Sequence, residues 1–224
     1  MMKFIKFNQQ AFTILELMIA TMVFSVILLL VTTGILQIGK TYYKGALQAR
    51  TQGAARNIID EVSRGIQFSG ETVAFTTPLN AAATPYPQPG GKYGFCVNGV
   101  GYAYIIDRQL ARSPSGSDQV SKTLISYGTP CAGFTAQDVA TVSGRELLGI
   151  GMRLTALNVQ SLGNNTFAVT VEVASGEPDL FSDLYKNIDG SVGTDGIFDT
   201  CKTGTGKEFC AISRLTTTVQ KRVL

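Results

Sequence analysis

The sequence predicts an α+β protein, with one long N-terminal helix followed by a body of antiparallel strands. Two observations carry this expectation. No proline occurs before Pro78, and apolar residues recur at helical spacing up to Ile66. Beyond that point, short segments alternate apolar and polar residues between turns rich in glycine and asparagine. A helix first and strands afterwards is the α+β order.

The helix has two parts. From Phe12 to Ile38 the only charged residue is Glu16, and the run is long enough to span a bilayer. Lys3 and Lys6 precede it, and the next cation is Lys40, so the N-terminus is expected in the cytoplasm. Past the span, Leu47, Ala54, Ile58, Val62 and Ile66 form one stripe, with Ala55 and Ile59 beside it. Arg56–Asp60 and Asp60–Arg64 are spaced for surface ion pairs on another side. A helix from Phe12 to about Phe68 is about 85 Å long. Residues 31–39, with β-branched side chains, Gly34 and Gly39, are its weakest interval, where local melting is the expectation.

Residues 69–92, rich in Pro, Gly, Ala and Thr, read as a connecting loop with a short strand near Thr72–Thr76. Tyr102, Tyr104 and Ile106 share a strand face, which turns near Asp107-Arg108 and returns through Leu110. "KTLISYG" is a further short strand. Leu157 and Val159 lead into a turn at Gly163-Asn164-Asn165, and Phe167, Val169, Val171 and Val173 lead out. A last strand alternates through Leu215, Thr217 and Val219.

Composition narrows the chemistry. The 224 residues carry a net charge of +3, too weak and diffuse to specify a nucleic-acid partner. There is no histidine, which removes the commonest general base and the commonest transition-metal ligand. "TGTGK" at 203–207 lacks the spacing and the Ser/Thr of a phosphate loop, and no Ser-x-x-Lys element occurs. The chain is therefore not expected to be an enzyme. Cys96, Cys131, Cys201 and Cys210 form no C-x-x-C pair, and an even count downstream of a membrane-targeting segment reads as two disulfides. Three pairings are possible. Cys96–Cys131 with Cys201–Cys210 is favoured because the second bond closes a short loop.

A carboxylate inside an apolar span costs about 2.5–3.5 kcal/mol or more when unpaired, so Glu16 should have a partner. A secretory signal peptide or a plain membrane anchor leaves it unexplained. A cut between Ala11 and Phe12 supplies the partner, because Phe12 then bears a cationic amine one helical turn before Glu16. Within one subunit the two neutralise each other; in a helix bundle Glu16 pairs with the amine of a neighbour and sets the stagger.

Ala11 followed by "FTILELMIA" resembles the class III leader and cleavage motif of type IV pilins and pseudopilins. The resemblance implies a leader at 1–11, a membrane or filament-core helix at 12–38, its continuation on the body at 39–68, and an extracytoplasmic β-rich pilin body at 69–224. It implies cleavage after Ala11 by an inner-membrane prepilin peptidase, N-methylation of Phe12, and Glu16 as the assembly glutamate. One position departs: the family usually has glycine before the cut, and this chain has Ala11. The implied fold is pilin-like. The implied partners are other pilins, the prepilin peptidase and an inner-membrane assembly platform, and the subunit passes from that membrane to a surface fibre.

Removing the leader takes two lysines from the 19 basic residues and leaves 17 against 16 acidic ones. The order of segments in the body is similar to that of PulJ/PilW-like minor pilins and minor pseudopilins, which implies priming of assembly or a place at the tip. No cofactor is expected. Asp183, Asp189, Asp195 and Asp199 among glycines are weak calcium candidates, with Asp189, Asp195 and Asp199 the core of the set. Lys202, Lys207, Arg214, Lys221 and Arg222 give weak support for DNA binding.

Overall fold

A computed structural model describes residues 13–70, 73–76, 92–110, 123–135, 139, 141–182, 184–186, 192–194 and 200–222. The architecture is α+β and pilin-like: one long helix, antiparallel sheets and two disulfides. By contacts the chain forms two units, Met1–Tyr42 and Tyr43–Leu224.

Helix α1 (Ile14–Gln67) runs unbroken through Gly34 and Gly39. In the weak interval, the Thr32 and Thr33 hydroxyls donate to the carbonyls of Leu28 and Leu29, at 2.7 and 3.0 Å. In the single chain that interval is helical. Towards its C-terminus α1 buries Thr51, Ala55, Ile58, Ile59, Val62 and Ile66, one stripe at three- and four-residue spacing. Thr51 breaks the apolar pattern yet is fully buried, because its hydroxyl bonds back to the carbonyls of Leu47 and Gln48. The expected ion pairs of Asp60 with Arg56 and Arg64 are not among those of the described residues. The neighbouring Glu61 instead pairs across to Arg145.

The strands form two main sheets. β1 (Ala74–Thr76), β2 (Lys92–Val97), β3 (Val100–Ile105), β4 (Leu124–Gly128) and β5 (Arg145–Glu146) pair in that order, all antiparallel. β6 (Met152–Gly163) and β7 (Thr166–Ser175) form the long hairpin. β8 (Phe181–Ser182), β9 (Leu184–Lys186), β10 (Val192–Thr194) and β11 (Thr200–Cys201) make two small ribbons. β12 (Ala211–Gln220) then pairs with β7, giving the order β12-β7-β6. The hairpin turns at Asn164-Asn165, both at positive φ, which suits the right-handed strand twist.

The two sheets meet where the segment after β3 runs beside β6. The Asp107 N–H donates to the Leu154 carbonyl and the Leu110 N–H to the Met152 carbonyl, both at 2.8 Å. Leu110 therefore does not return along β3, as its alternation suggests; it pairs with the other sheet. Asp107 makes the turn at a φ of 59° and forms a buried ion pair with Arg153 at 3.1 Å.

The stripe of α1 packs in one core with Phe95, Val97, Tyr102, Tyr104, Leu154, Leu157, Val169, Val171, Val173 and Val219, drawn from both sheets. Burial pushes the Tyr102 and Tyr104 phenols well above their usual range. Tyr104 stays a neutral donor and gives its hydrogen to the Leu157 carbonyl at 3.0 Å, pinning one sheet to the other. The far end of α1 is closed by the end of β12. The Arg222 N–H donates to the Gln67 carbonyl at 3.1 Å, and the Arg222 guanidinium lies over the Phe68 ring at 5.4 Å.

Two devices hold loops to this frame. The disulfides are Cys96–Cys131 and Cys201–Cys210, 35 and 9 residues apart. Glu146 clamps the segments on either side of it. Its carboxylate accepts N–H groups of Thr123 at 2.7 Å and of Leu124 and Leu148 at 3.1 Å. Burial raises its carboxyl above the usual range, and the backbone donors oppose that rise only in part.

Loop-closure entropy ranks the two disulfides. Replacing Cys96 and Cys131 by alanine should cost about 4 kcal/mol, and replacing Cys201 and Cys210 about 3 kcal/mol, read as urea midpoints of the full chain in detergent. A larger loss from the short loop would sink that ranking. Glu146→Gln places an NH2 group against backbone donors and should cost about 1–3 kcal/mol. The carboxyl binds its proton more tightly folded than unfolded, so its contribution is greatest below the ordinary carboxylate range and declines as pH rises through it. The stability gap between wild type and Glu146→Gln should therefore shrink from acid to neutral pH; a widening gap contradicts the assignment.

Candidate assembly site at the start of the helix

Thr13 and Glu16 form a reciprocal cap at the helix N-terminus. The Thr13 N–H and hydroxyl both donate to Glu16 Oε2, at 3.0 and 2.9 Å. The Glu16 N–H donates in return to Thr13 Oγ1 at 3.2 Å. The first intrahelical bond follows, from the Leu17 N–H to the Thr13 carbonyl at 3.2 Å. This is a Thr-x-x-Glu capping box, which satisfies two of the N–H groups that a helix start leaves open. A carboxylate also suits the positive end of the helix dipole. The four residues spell the box in the sequence, where Thr13 is an uncharged partner for Glu16.

The partner found is thus local. Glu16 turns back over Thr13, and only Oε2 is engaged; Oε1 accepts no hydrogen bond among the described residues. Ala11 and Phe12, the expected processing residues, lie outside the described residues, as do Asp183, Asp189, Asp195 and Asp199. No group of metal-ligating side chains occurs among the described residues.

The helix behind the cap is apolar and uncovered. Ile14, Leu15, Leu17, Met18, Ile19, Met22 and Phe24 are each more than half exposed, and α1 is long and apolar enough to cross a membrane. Its hydroxyls do not spoil that fit. Thr21, Ser25, Thr32 and Thr33 each bond to a carbonyl three or four residues back. In lipid, a polar side chain is tolerated where its hydrogen bonds close within the helix. Glu16 is the one charge in the described apolar stretch, and it sits at the end, where a second charged group can reach it.

Three of the basic residues that give weak support for DNA binding have contacts of their own. Arg214 lies 3.7 Å from Glu172, while Arg222 lies over Phe68. The Lys202 amine donates to the Asp179 carbonyl at 3.0 Å.

Residues 6–32 match the model of the prokaryotic N-terminal methylation motif. That segment contains Ala11, Phe12, Thr13 and Glu16. No curated protein and no solved structure matches the chain. The motif, ahead of an uncovered apolar helix and a disulfide-bonded β body, supports a protein of the type IV pilin or pseudopilin type.

Proposed function

We propose that this chain is a minor pilin or minor pseudopilin, a structural subunit that primes a type IV pilus-like fibre or sits at its tip. The observation that carries the reading is the Thr13–Glu16 cap at the head of an uncovered apolar helix. Residues 1–11 are the leader, cut after Ala11 by a prepilin peptidase, and Phe12 becomes the methylated terminus. Residues 12–38 hold the subunit in the inner membrane and then form the filament core. Residues 39–68 continue the helix into the body at 69–224.

The cap has two consequences for assembly. It keeps the carboxylate hydrogen-bonded while the subunit is alone in lipid, which lowers the cost of a charge there. It also leaves Oε1 open towards a neighbour's N-terminal amine, while Oε2 stays on Thr13. In a water-poor bundle, that amine–carboxylate pair is strong and fixes the axial stagger of two helices. The work is templating rather than catalysis, consistent with a chain without histidine. The body is displayed outward, where an adhesive or DNA-binding role, or service in a type II secretion system, is the alternative.

Glu16→Ala should abolish incorporation into fibres while leaving leader removal and membrane insertion intact, scored by fractionation of sheared fibres and by gel mobility. An anchored binding module would be indifferent to that change. Thr13→Ala keeps the carboxylate but removes the hydroxyl that both donates and accepts. It should cost about 1 kcal/mol at the helix start, seen as roughly fivefold faster amide exchange at residues 14–17, with Thr13→Ser restoring protection. Unchanged exchange in Thr13→Ala would remove the capping box from the argument.

A further inference from the structure

A second polar–aromatic cluster lies on the body, just past the apolar run. "KTYYK" at 40–44 follows Ile38 after one glycine, and Tyr43 is five residues, about 7.5 Å of helix, beyond Ile38. Tyr43 is 58% exposed and Phe209 is 46% exposed, yet their rings meet edge to face at 5.9 Å. An exposed phenylalanine is unusual in that it is held in place here. It ends the single 3₁₀ turn Lys207–Phe209, whose Phe209 N–H bonds to the Gly206 carbonyl at 2.9 Å. The Cys201–Cys210 disulfide closes the loop around that turn. Gly206 sits at a φ of 89°, and a Cβ there would lie 2.9 Å from Leu180, so the turn before Phe209 requires glycine.

Lysines adjoin both members of the pair in sequence, Lys44 next to Tyr43 and Lys207 in the turn that ends at Phe209. Lys44 and Gln48 line a groove of about 330 Å³ together with Thr200, Cys201 and Cys210. Lys44, Lys202 and Lys207 are exposed, and Lys44 has no ion-pair partner among the described residues. The Asp179 group that engages Lys202 is its backbone carbonyl, not its carboxylate. Aromatic rings flanked by lysines are the composition of a membrane interface, where rings reach the acyl boundary and ammonium groups meet phosphates.

We propose that Tyr43, Phe209, Lys44, Lys202 and Lys207 form a footing on which the body rests against the anionic phospholipid headgroups of the membrane that holds α1. The footing rests on the reading that residues 12–38 span that membrane. It orients the unassembled body on the bilayer surface, and extraction into a fibre must release it. The β6–β7 hairpin end of the body lies farther along the helix. The Lys221 N–H bonds to the Asn165 carbonyl and that of Arg222 to Gln67, tying the β6–β7 hairpin end to the far end of α1. Gln67 is 24 residues, about 36 Å, along the helix from Tyr43.

The chain has no tryptophan, so one introduced indole reports on its own site. Full-length Phe209→Trp is placed in phosphatidylethanolamine/phosphatidylglycerol vesicles with brominated acyl chains. Its emission should be blue-shifted and about twofold weaker than in unbrominated vesicles, with quenchers near the headgroup outperforming deep ones. Tyr43→Trp should behave alike. Leu162→Trp, at an exposed residue of the hairpin, should be unquenched. Val26→Trp, within the span, should be quenched by deep bromines. If Val26→Trp is quenched while Phe209→Trp and Tyr43→Trp match Leu162→Trp, the footing is wrong and the span stands. If Val26→Trp is also unquenched, the span fails and takes the footing with it. Adding Lys44→Gln and Lys207→Gln to Phe209→Trp should remove the dependence of quenching on phosphatidylglycerol; an unchanged dependence overturns the ionic half of the proposal.

Discussion

The apolar surface of α1 from Ile14 to Ile38 lies uncovered, and the rest of the chain is arranged around that constraint. Exposed side chains of this size cannot stay in water, so this stretch needs lipid or other helices from the start. Its serine and threonine hydroxyls are accordingly closed on the helix itself. The threonine and serine hydroxyls bond to carbonyls one turn back, and Glu16 is drawn onto Thr13. The result is a segment stable in a membrane that still presents a carboxylate at its end.

The second half of the same helix answers the opposite demand. Its buried stripe, Thr51 to Ile66, joins two sheets that also meet where the segment after β3 runs beside β6. One face of the helix therefore belongs to the core of the β body. Small local clamps complete it: Tyr104 to Leu157, Glu146 to three backbone amides, Arg222 to the end of α1, and two disulfides. Each restrains a segment too short or too rich in glycine to hold itself in place by packing.

Local patterning was a good guide where it was strong. The stripe on α1, the strand through Tyr102 and Tyr104, and the hairpin at Asn164-Asn165 were all legible from periodicity and turn chemistry. β2 was not. Gly94 and Cys96 blur its alternation, although Asn98-Gly99, both at positive φ, mark the hairpin that joins it to β3. The ribbons β8–β11 escaped because two- and three-residue strands carry no period. Thr51 was missed because its hydroxyl is satisfied by its own helix, which no apolar pattern records. Leu110 was assigned to the wrong neighbour, since alternation gives a side chain's face but not the strand beside it.

By itself the sequence determined the long helix, its division into an apolar and an amphipathic part, the β body behind it, and the motif around Ala11, Phe12 and Glu16. These follow from residue order within a few turns of chain, where hydrophobic period and local hydrogen bonding decide. Only the tertiary structure decided how the two sheets join, that Asp107 and Arg153 pair in the interior, and that Phe209 meets Tyr43 across 166 residues. Those contacts depend on how distant segments are brought together, and loop closure leaves no periodic trace in the residues that it joins.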